Sequence, residues 1–413
     1  MMNQTEKMAA GQGDPEKYVF PFTSDSAWLR ALKLTTRLAF FIAGFGLSCW
    51  APLVPFAQER MQAEPAMLGI VLLCLGFGAV VGMPVAGGLS AKIGCKPVII
   101  AGALGLAMTL PLLAILSSPV ALGVTLFIFG ASLGATDVAA NVHGTHVQSR
   151  AGIPLMSGFH GFYSLGGLAG ASVTTAIIAS GWFIWGAASI ASLAIILCLI
   201  KARAGFVHTR EDNEHPFFVL PKGKVVVIGV LAMVLFLAEG AMLDWGALLL
   251  IQVKNISAST SGAGYVIFAV AMALSRFVGD RIVAGVGEKV MLIAGVTVTG
   301  CSLFLIAWLT PLFAVFAAIA LAGFAAGNVV PVLFTLAGKQ KSMPATLAIS
   351  AASILGYLGV LMGPAFVGFV AHFTGLKVAF FCLGGLVVAS SMLIRLIKCE
   401  NVAEEETAST GRS

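Results

Sequence analysis

Charge is scarce in this sequence. Only 10% of its residues are Asp, Glu, Lys or Arg, against 59% hydrophobic and a mean hydropathy of +0.99. Soluble domains carry about 25% charged residues. The scarcity excludes an ordinary water-soluble fold and makes lipid the solvent for much of the surface. Other absences narrow the chemistry. There is no Gly-x-x-x-x-Gly-Lys-[Ser/Thr] loop to cradle ATP, no His-Glu-x-x-His to hold zinc and no Gly-x-Ser-x-Gly nucleophile turn. The chain is therefore not expected to be an enzyme, and no cofactor is expected beyond a proton gradient as energy source. No Cys-x-x-Cys occurs. Cys49, Cys74, Cys95, Cys198, Cys301, Cys382 and Cys399 are scattered and odd in number, and are expected as small buried apolar side chains. Strict alternation over about 10 residues, the mark of a membrane barrel strand, is also missing.

What the chain does have is long apolar runs, near 35–58, 66–90, 97–117, 119–147, 155–180 and 182–200, then near 225–252, 259–284, 290–308, 311–337, 343–372 and 376–397. Most are long enough to cross a hydrocarbon core of about 30 Å as a helix with some tilt. The predicted layout is a cytoplasmic tail (1–33), a six-helix bundle (34–203), a cytoplasmic loop (204–222), a second bundle (223–398) and a cytoplasmic tail (399–413). The first stretch lacks an apolar segment and a small-residue cleavage site, so it does not read as a signal peptide. The net charge of +6 would suggest nucleic acid in a soluble protein. Here the basic residues sit at helix ends, which argues for topology and against a nucleic-acid partner. Lys92, Lys96, Arg150, Lys201, Arg203, Lys289, Lys339 and others fall on one side, and only Arg60, Lys254 and Lys377 on the other. The positive-inside bias then puts both termini in the cytoplasm.

The halves repeat. Gly130-Ala-Ser-Leu-Gly134 lies 193 positions before Gly323-Phe-Ala-Ala-Gly327. The same offset carries Ala91–Lys96 onto Ala284–Lys289, and Gly166 and Gly170 onto Gly359 and Gly363. A direct repeat of six spans keeps both halves in one orientation. It predicts a pseudo-two-fold axis along the membrane normal, with a site at the midplane between the halves.

Gly87-Gly-Leu-Ser-Ala-Lys-Ile-Gly94-Cys-Lys96 resembles the major facilitator superfamily loop motif Gly-x-x-x-Asp-x-x-Gly-[Arg/Lys]-[Arg/Lys], matching at Gly87, Gly94 and Lys96. Its acidic position is Ala91, a departure that removes the usual charge latch in that half. Gly130–Gly144 and His160-Gly-Phe-Tyr163-Ser-Leu-Gly166, with Ala238-Glu239-Gly240, Asp244-Trp245 and Gly356-Tyr357, are similar to the YbjJ-type bacterial inner-membrane subgroup. The fourth span is also loosely similar to fucose-type proton symporters. The resemblance covers most of the chain outside the tails. It implies an all-α membrane fold of 12 transmembrane helices in two six-helix bundles. It also implies a multi-pass, monomeric transporter in the bacterial inner membrane, with lipid and a small-molecule substrate as partners. The resemblance places Arg276 and Asp280 at the inner gate, and their i, i+4 spacing lets them pair directly.

Ionisable groups inside a membrane cost about 2.5–3.5 kcal/mol each on insertion scales, so those present are candidates for function. Asp137, Asn141, Gly144 and Gln148 share one helix face, a polar stripe that should meet a wet cavity. Asp137 is the first candidate for proton exchange, and the two amides suit solute hydroxyl or amide groups. The alternative is a carboxylate satisfied by packing alone. Glu239 supplies a second carboxylate from the opposite half. Asp244 and Trp245 read either as an outer gate or as a solvated interface pair. Trp50, which matches Trp245 across the repeat, reads as an outer aromatic belt or as a stacking surface. Asn328 is a further candidate lining residue. His160 with Tyr163 could relay protons or close the inner gate, while His143 and His146, on the face opposite Asp137, read as packing histidines. Arg37 is expected to snorkel to lipid headgroups. The expected function is alternating-access transport of a small polar solute, with proton symport as the leading mode. A proton-coupled drug or metabolite exporter is the rival; the fifth span, Gly161–Gly170, lacks the Gly-Pro of family exporters. A transport-inactive receptor is the second rival.

Overall fold

The computed structural model describes residues 27–62, 65–206, 220–256 and 262–397. The predicted tails to residue 26 and from residue 398, including Cys399, and most of the loop 204–222 lie outside the described residues. Helices account for nearly all of the rest. In chain order they are α1 (Ala27–Met61), α2 (Pro65–Ile93), α3 (Cys95–Ile115), α4 (Pro119–Ala151), α5 (Met156–Ala179) and α6 (Ile184–Ala202). The second set is α7 (Lys224–Lys254), α8 (Ala263–Val286), α9 (Glu288–Trp308), α10 (Leu312–Lys339), α11 (Ala345–Thr374) and α12 (Leu376–Leu396). Eleven of these are long and apolar enough to cross a membrane, by length and composition. The twelfth, α8, is 24 residues long and carries Arg276, Asp280 and Arg281. We call the end of the molecule nearer both termini the inner end, after the charge pattern.

The repeat visible in the glycines is a repeat of contacts. A Cβ on Gly130 of α4 would sit on the backbone carbonyl of Leu75 in α2, and a Cβ on Gly323 of α10 would sit on the carbonyl of Phe268 in α8. Both partners lie 193 positions apart, as the glycines do. Gly166 against Phe41 and Gly359 against Met233 repeat the relation for α5 on α1 and α11 on α7. Without a hydrophobic force between helices in lipid, close backbone approach of this kind supplies the packing. Connections repeat too. Gly94, at φ 85°, and Gly287, at φ 81°, are single-residue turns between α2 and α3 and between α8 and α9. A side chain would be strained in that backbone region. Basic residues at the outer end follow the same rule. Arg60 donates to the carbonyl of Leu113 at 2.7 Å, and Lys254 donates to that of Ala307 at 3.0 Å, each covering the free carbonyls at a helix C-terminus. This gives two of the three basic exceptions to the charge bias a role in ending α3 and α9.

One departure from the repeat matters for the site. α4 is continuous, but its counterpart α10 breaks at Gly327 and Asn328 before resuming at Val329. Pro331 follows the break and has no N–H to offer the carbonyl four residues back, that of Gly327.

Between the halves, α2 lies along α11 and α5 along α8. The inner part of the N-terminal half (Leu32, Phe40, Met83, Phe159) shares one buried apolar cluster with the C-terminal half. Its outer part (Ile42, Trp50, Leu106, Phe129) forms a separate cluster of its own. The halves are therefore joined at the inner end and part toward the outer end. Cysteine burial is mixed: Cys49 and Cys95 are buried as expected, whereas Cys301 and Cys382 are exposed on helix surfaces.

Because a backbone carbonyl occupies the place of each Cβ, Gly130→Ala and Gly323→Ala should each destabilise the protein by about 1–3 kcal/mol. Thermal unfolding in detergent should show a matched fall in midpoint for the two variants. Unequal effects would argue against equivalent crossings.

Candidate functional site

α4 and α7 bring the first two candidate carboxylates to the meeting of the halves. Asp137 is buried, at 7% exposed, and Glu239 is half-buried. Among the described residues no hydrogen bond or ion pair reaches either carboxylate, and neither is sealed from solvent. Tyr163 of α5 and Tyr357 of α11 bring their hydroxyls together across the halves, with Asp137 and Glu239 close enough to act on both electrostatically and Arg276 on Tyr163. Tyr265, near the outer end of α8, lies within electrostatic reach of Glu239 and Asp244. Three of the four tyrosines in the chain thus surround the carboxylates. Tyr357 and Tyr265 were not among the sequence candidates. Their scarcity was the available signal, since a residue type used four times in 413 rarely clusters by chance.

Asn141 and Gln148, read as solute-binding amides, are already occupied. The Asn141 side chain donates to the Asp137 carbonyl at 3.0 Å, and its Oδ1 lies 3.1 Å from Nε2 of His160. The amide nitrogen is used, so the amide oxygen accepts and His160 carries its proton on Nε2, a tautomer assigned from the bonding pattern. The His160 ring stacks on Phe334 of α10, with centroids 5.8 Å apart, and tilts against Phe40. It is a fixed wedge between halves. Gln148 accepts from the backbone N–H groups of Leu155 and Met156, at 2.7 and 3.0 Å, and donates to Thr335 at 3.0 Å. It ends α4, starts α5 and holds α10.

Other candidates lie elsewhere than predicted. Trp50 is 4% exposed and belongs to the core of the N-terminal half, where it fills volume between helices; it forms neither a belt nor a stacking face. Trp245 packs on Gly368 of α11 with its indole nitrogen buried and unpartnered, and neighbouring Asp244 is exposed. Asn328 is fully buried and donates to the carbonyl and hydroxyl of Ser275 at 3.0 and 2.7 Å. It stitches the α10 break to α8 within one half and does not line the space between halves. His143 is a packing residue as expected, 3.0 Å from the Thr36 hydroxyl and edge-on to Phe206. Arg37 does not snorkel. α5 covers it, and its guanidinium sits 5.3 Å above the Phe162 ring.

Arg276 and Asp280 do not pair with each other. Asp280 accepts from the backbone N–H groups of Ser157 and Gly158 at 3.0 and 2.9 Å, so a carboxylate of the C-terminal half caps α5 of the N-terminal half. An anion at a helix N-terminus is favoured by the free N–H groups and the dipole. With Gln148, it satisfies four consecutive N–H groups at the start of α5. Arg276, one turn further in from the inner end, donates from Nε to the Gly327 carbonyl at 3.2 Å and from Nη1 to the Ser164 hydroxyl at 2.6 Å. Their rotamers follow what lies beside α8: α10 and α5 offer stronger partners than the next turn of the same helix.

The equivalent seam between α2 and α11 has uncharged residues at the matching positions. The positions matching Arg276 and Asp280 are Met83 and Gly87. Ser350 of α11 donates to the Met83 carbonyl at 3.0 Å, and a Cβ on Gly87 would come 2.5 Å from Ser350. Ala91, the departed acidic position, is buried, and Gly94 supplies the turn described above. Lys96 is half-buried. At the inner rim the ion pair Lys339–Glu288, 2.8 Å, stays within the C-terminal half.

The fold, two six-helix bundles side by side, is shared with known proteins. The family model for the Major Facilitator Superfamily matches residues 38–341. The chain belongs to the major facilitator superfamily. Its members are transporters, not enzymes, and bind small-molecule substrates. An uncharacterised MFS-type transporter of Yersinia pestis is 41% identical over 366 residues, covering 88% of this chain and 95% of that protein. Among solved structures, FucP in the outward conformation superposes with a TM-score of 0.74 at 18% identity, covering 91% of this chain and all of that one. The human organic anion transporter MFSD10 gives 0.72 at 17% identity, covering 89% and 99%. At these identities the structures speak to fold alone.

Asp280→Asn should weaken the inner closure, because charge-assisted bonds to two N–H groups become neutral ones. Spin labels at positions 150 and 341 should report a longer-distance population raised roughly tenfold. An unchanged distance distribution would remove Asp280 from the closure.

Proposed function

We propose that this transporter is a proton-coupled symporter of a small polar solute, working by alternating access in a bacterial inner membrane with both termini cytoplasmic. The YbjJ-type likeness of the fourth and fifth spans makes that subgroup our choice of relatives. The observation that carries the reading is the pair of carboxylates, one per half, that face the space between halves with no hydrogen-bond partner among the described residues. A buried, unpartnered carboxylate is costly in its charged form. A proton on one carboxylate and solute donors on the other lower the cost of the occluded state. Arg276 compensates one negative charge, leaving the site one positive charge short of neutrality. A single proton with an uncharged or zwitterionic solute supplies it. Tyr163 and Tyr357 offer hydroxyls to that solute from both halves, so that binding favours their approach.

Asp137 is our choice of proton carrier. The position that matches Arg276 in its half is Met83, whereas Glu239 shares the field of Arg276. The separation of the halves toward the outer end makes this the state that receives solute from outside, consistent with uptake. The exporter reading is favoured by no contact in the site, although a monocationic solute would supply the same missing charge.

A solute screen by thermal shift tests the proposal, run in parallel on wild type and Asp137→Asn. A hit should raise the wild-type midpoint. In proteoliposomes that hit should drive proton entry in the wild type, while Asp137→Asn should lose uphill accumulation by about 100-fold and keep solute exchange. Uphill transport by Asp137→Asn at the wild-type rate would reject the assignment. Proton exit on solute entry would favour the exporter.

A further inference from the structure

We infer that Arg276 is a positioning residue that ties the broken helix α10 to the opposite half and thereby holds the inner seam shut beneath the solute space. Three contacts carry this. The break in α10 leaves the Gly327 carbonyl without its helical donor, because Pro331 has no N–H. Arg276 Nε takes that carbonyl at 3.2 Å. Arg276 Nη1 donates to the Ser164 hydroxyl at 2.6 Å, and Ser164 in turn donates to the carbonyl of His160 at 3.3 Å. One guanidinium therefore joins α8, the α10 break and α5, and through His160 reaches the ring stack on Phe334.

The break is built to receive it. Ser275, beside Arg276, donates to the Phe324 carbonyl at 2.6 Å, and Asn328 donates back to Ser275. Gly279 leaves the space that the Asn328 side chain fills. None of these parts exists in the N-terminal half. The positions matching Arg276, Asn328 and Pro331 there are Met83, Ala135 and Val138, and α4 is unbroken. The strut is thus a property of one seam only.

Its depth separates it from the Asp280 cap. Arg276 lies ten residues from the end of α8, about 15 Å along the axis. That puts it between the cap and the carboxylates. The two bonds use Nε and Nη1, and among the described residues Nη2 makes none. The guanidinium therefore holds a partner on α10 and a partner on α5 from fixed positions in one plane. A planar, forked cation can do this, and a lysine cannot.

The inference rests on the alternating-access reading, but its test needs neither solute nor proton gradient, so a failed solute screen leaves it standing. Thr145→Cys, under Gly338 at the inner end of α4 and α10, serves as the reporter in the full chain in detergent. Maleimide labelling is followed against the unsubstituted chain. Ser164→Ala and Arg276→Lys should each speed labelling by about fivefold or more. The double variant should be no faster than the faster single one, because both remove one interaction. Ser350→Ala, which removes a neutral bond in the α2–α11 seam, should leave the rate within about twofold. Labelling of Ser164→Ala and Arg276→Lys at the parent rate overturns the inference, as does an additive double variant. If Arg276→Lys fails to fold, Ser164→Ala, a one-atom deletion, decides alone.

Discussion

A membrane interior accepts an ionised group only where protein or water compensates it, and the architecture of this transporter follows from that constraint. Asp137, Glu239 and Arg276 lie far from either end of their helices. Lipid would expel them. They persist because two helix bundles meet there and leave room between them. That room exists only if the helices within each bundle are drawn very close. The glycine crossings at Gly130, Gly166, Gly323 and Gly359 do this, by setting backbone against backbone. Tight bundles and a loose meeting line are two sides of one arrangement.

The meeting line is not symmetric, although the bundles are repeats. Between α2 and α11, Gly76 faces Leu361, Gly87 faces Ser350, and Ser350 makes a neutral hydrogen bond to the Met83 carbonyl. Between α5 and α8 the line is made of a carboxylate on a helix terminus and a guanidinium on a freed carbonyl. Neutral packing changes little with charge nearby, whereas charged contacts respond to every charge within a few ångströms. If the halves rock, the α5–α8 seam is where a change of protonation in the solute space has leverage. Gly87 stands where the other half has Asp280, so on this view the latch has one side.

Much of the fold was legible because it is written in residue types with one physical use. Long apolar runs, Gly at single-residue turns such as Gly94 and Gly287, and glycines repeated at one offset each admit few other readings. The site was legible only in part. Asp137, Glu239, Tyr163 and His160 could be found because ionisable or polar groups in a span need a reason. Partner choice could not. The spacing of Arg276 and Asp280 says which groups can meet on one helix, and nothing about a free carbonyl on α10 or bare N–H groups on α5. For the same reason Asn141 and Gln148 looked available for a solute when neighbouring helices had already claimed them. Trp50 misled in a different way. Its match with Trp245 reflects the repeat, and both rings pack their own half.

The placement of one carboxylate per half has a consequence for how movement and binding are linked. Two charges on the same rigid body keep their separation whatever the bodies do, and their mutual energy cannot drive motion. Asp137 and the Glu239–Arg276 group are on different bodies. Rotating one half against the other changes the distance between them, and so changes the cost of leaving Asp137 charged. Linkage is reciprocal: if closure alters the affinity for a proton, a proton alters closure by the same free energy. Tyr163 and Tyr357, which reach toward each other across the same line, extend that linkage to any solute that hydrogen-bonds to both. Coupling in such a device needs no relay of moving side chains. It needs only that charge and solute contacts be divided between the two bodies, with Arg276 fixed firmly enough to make the difference felt at the inner seam.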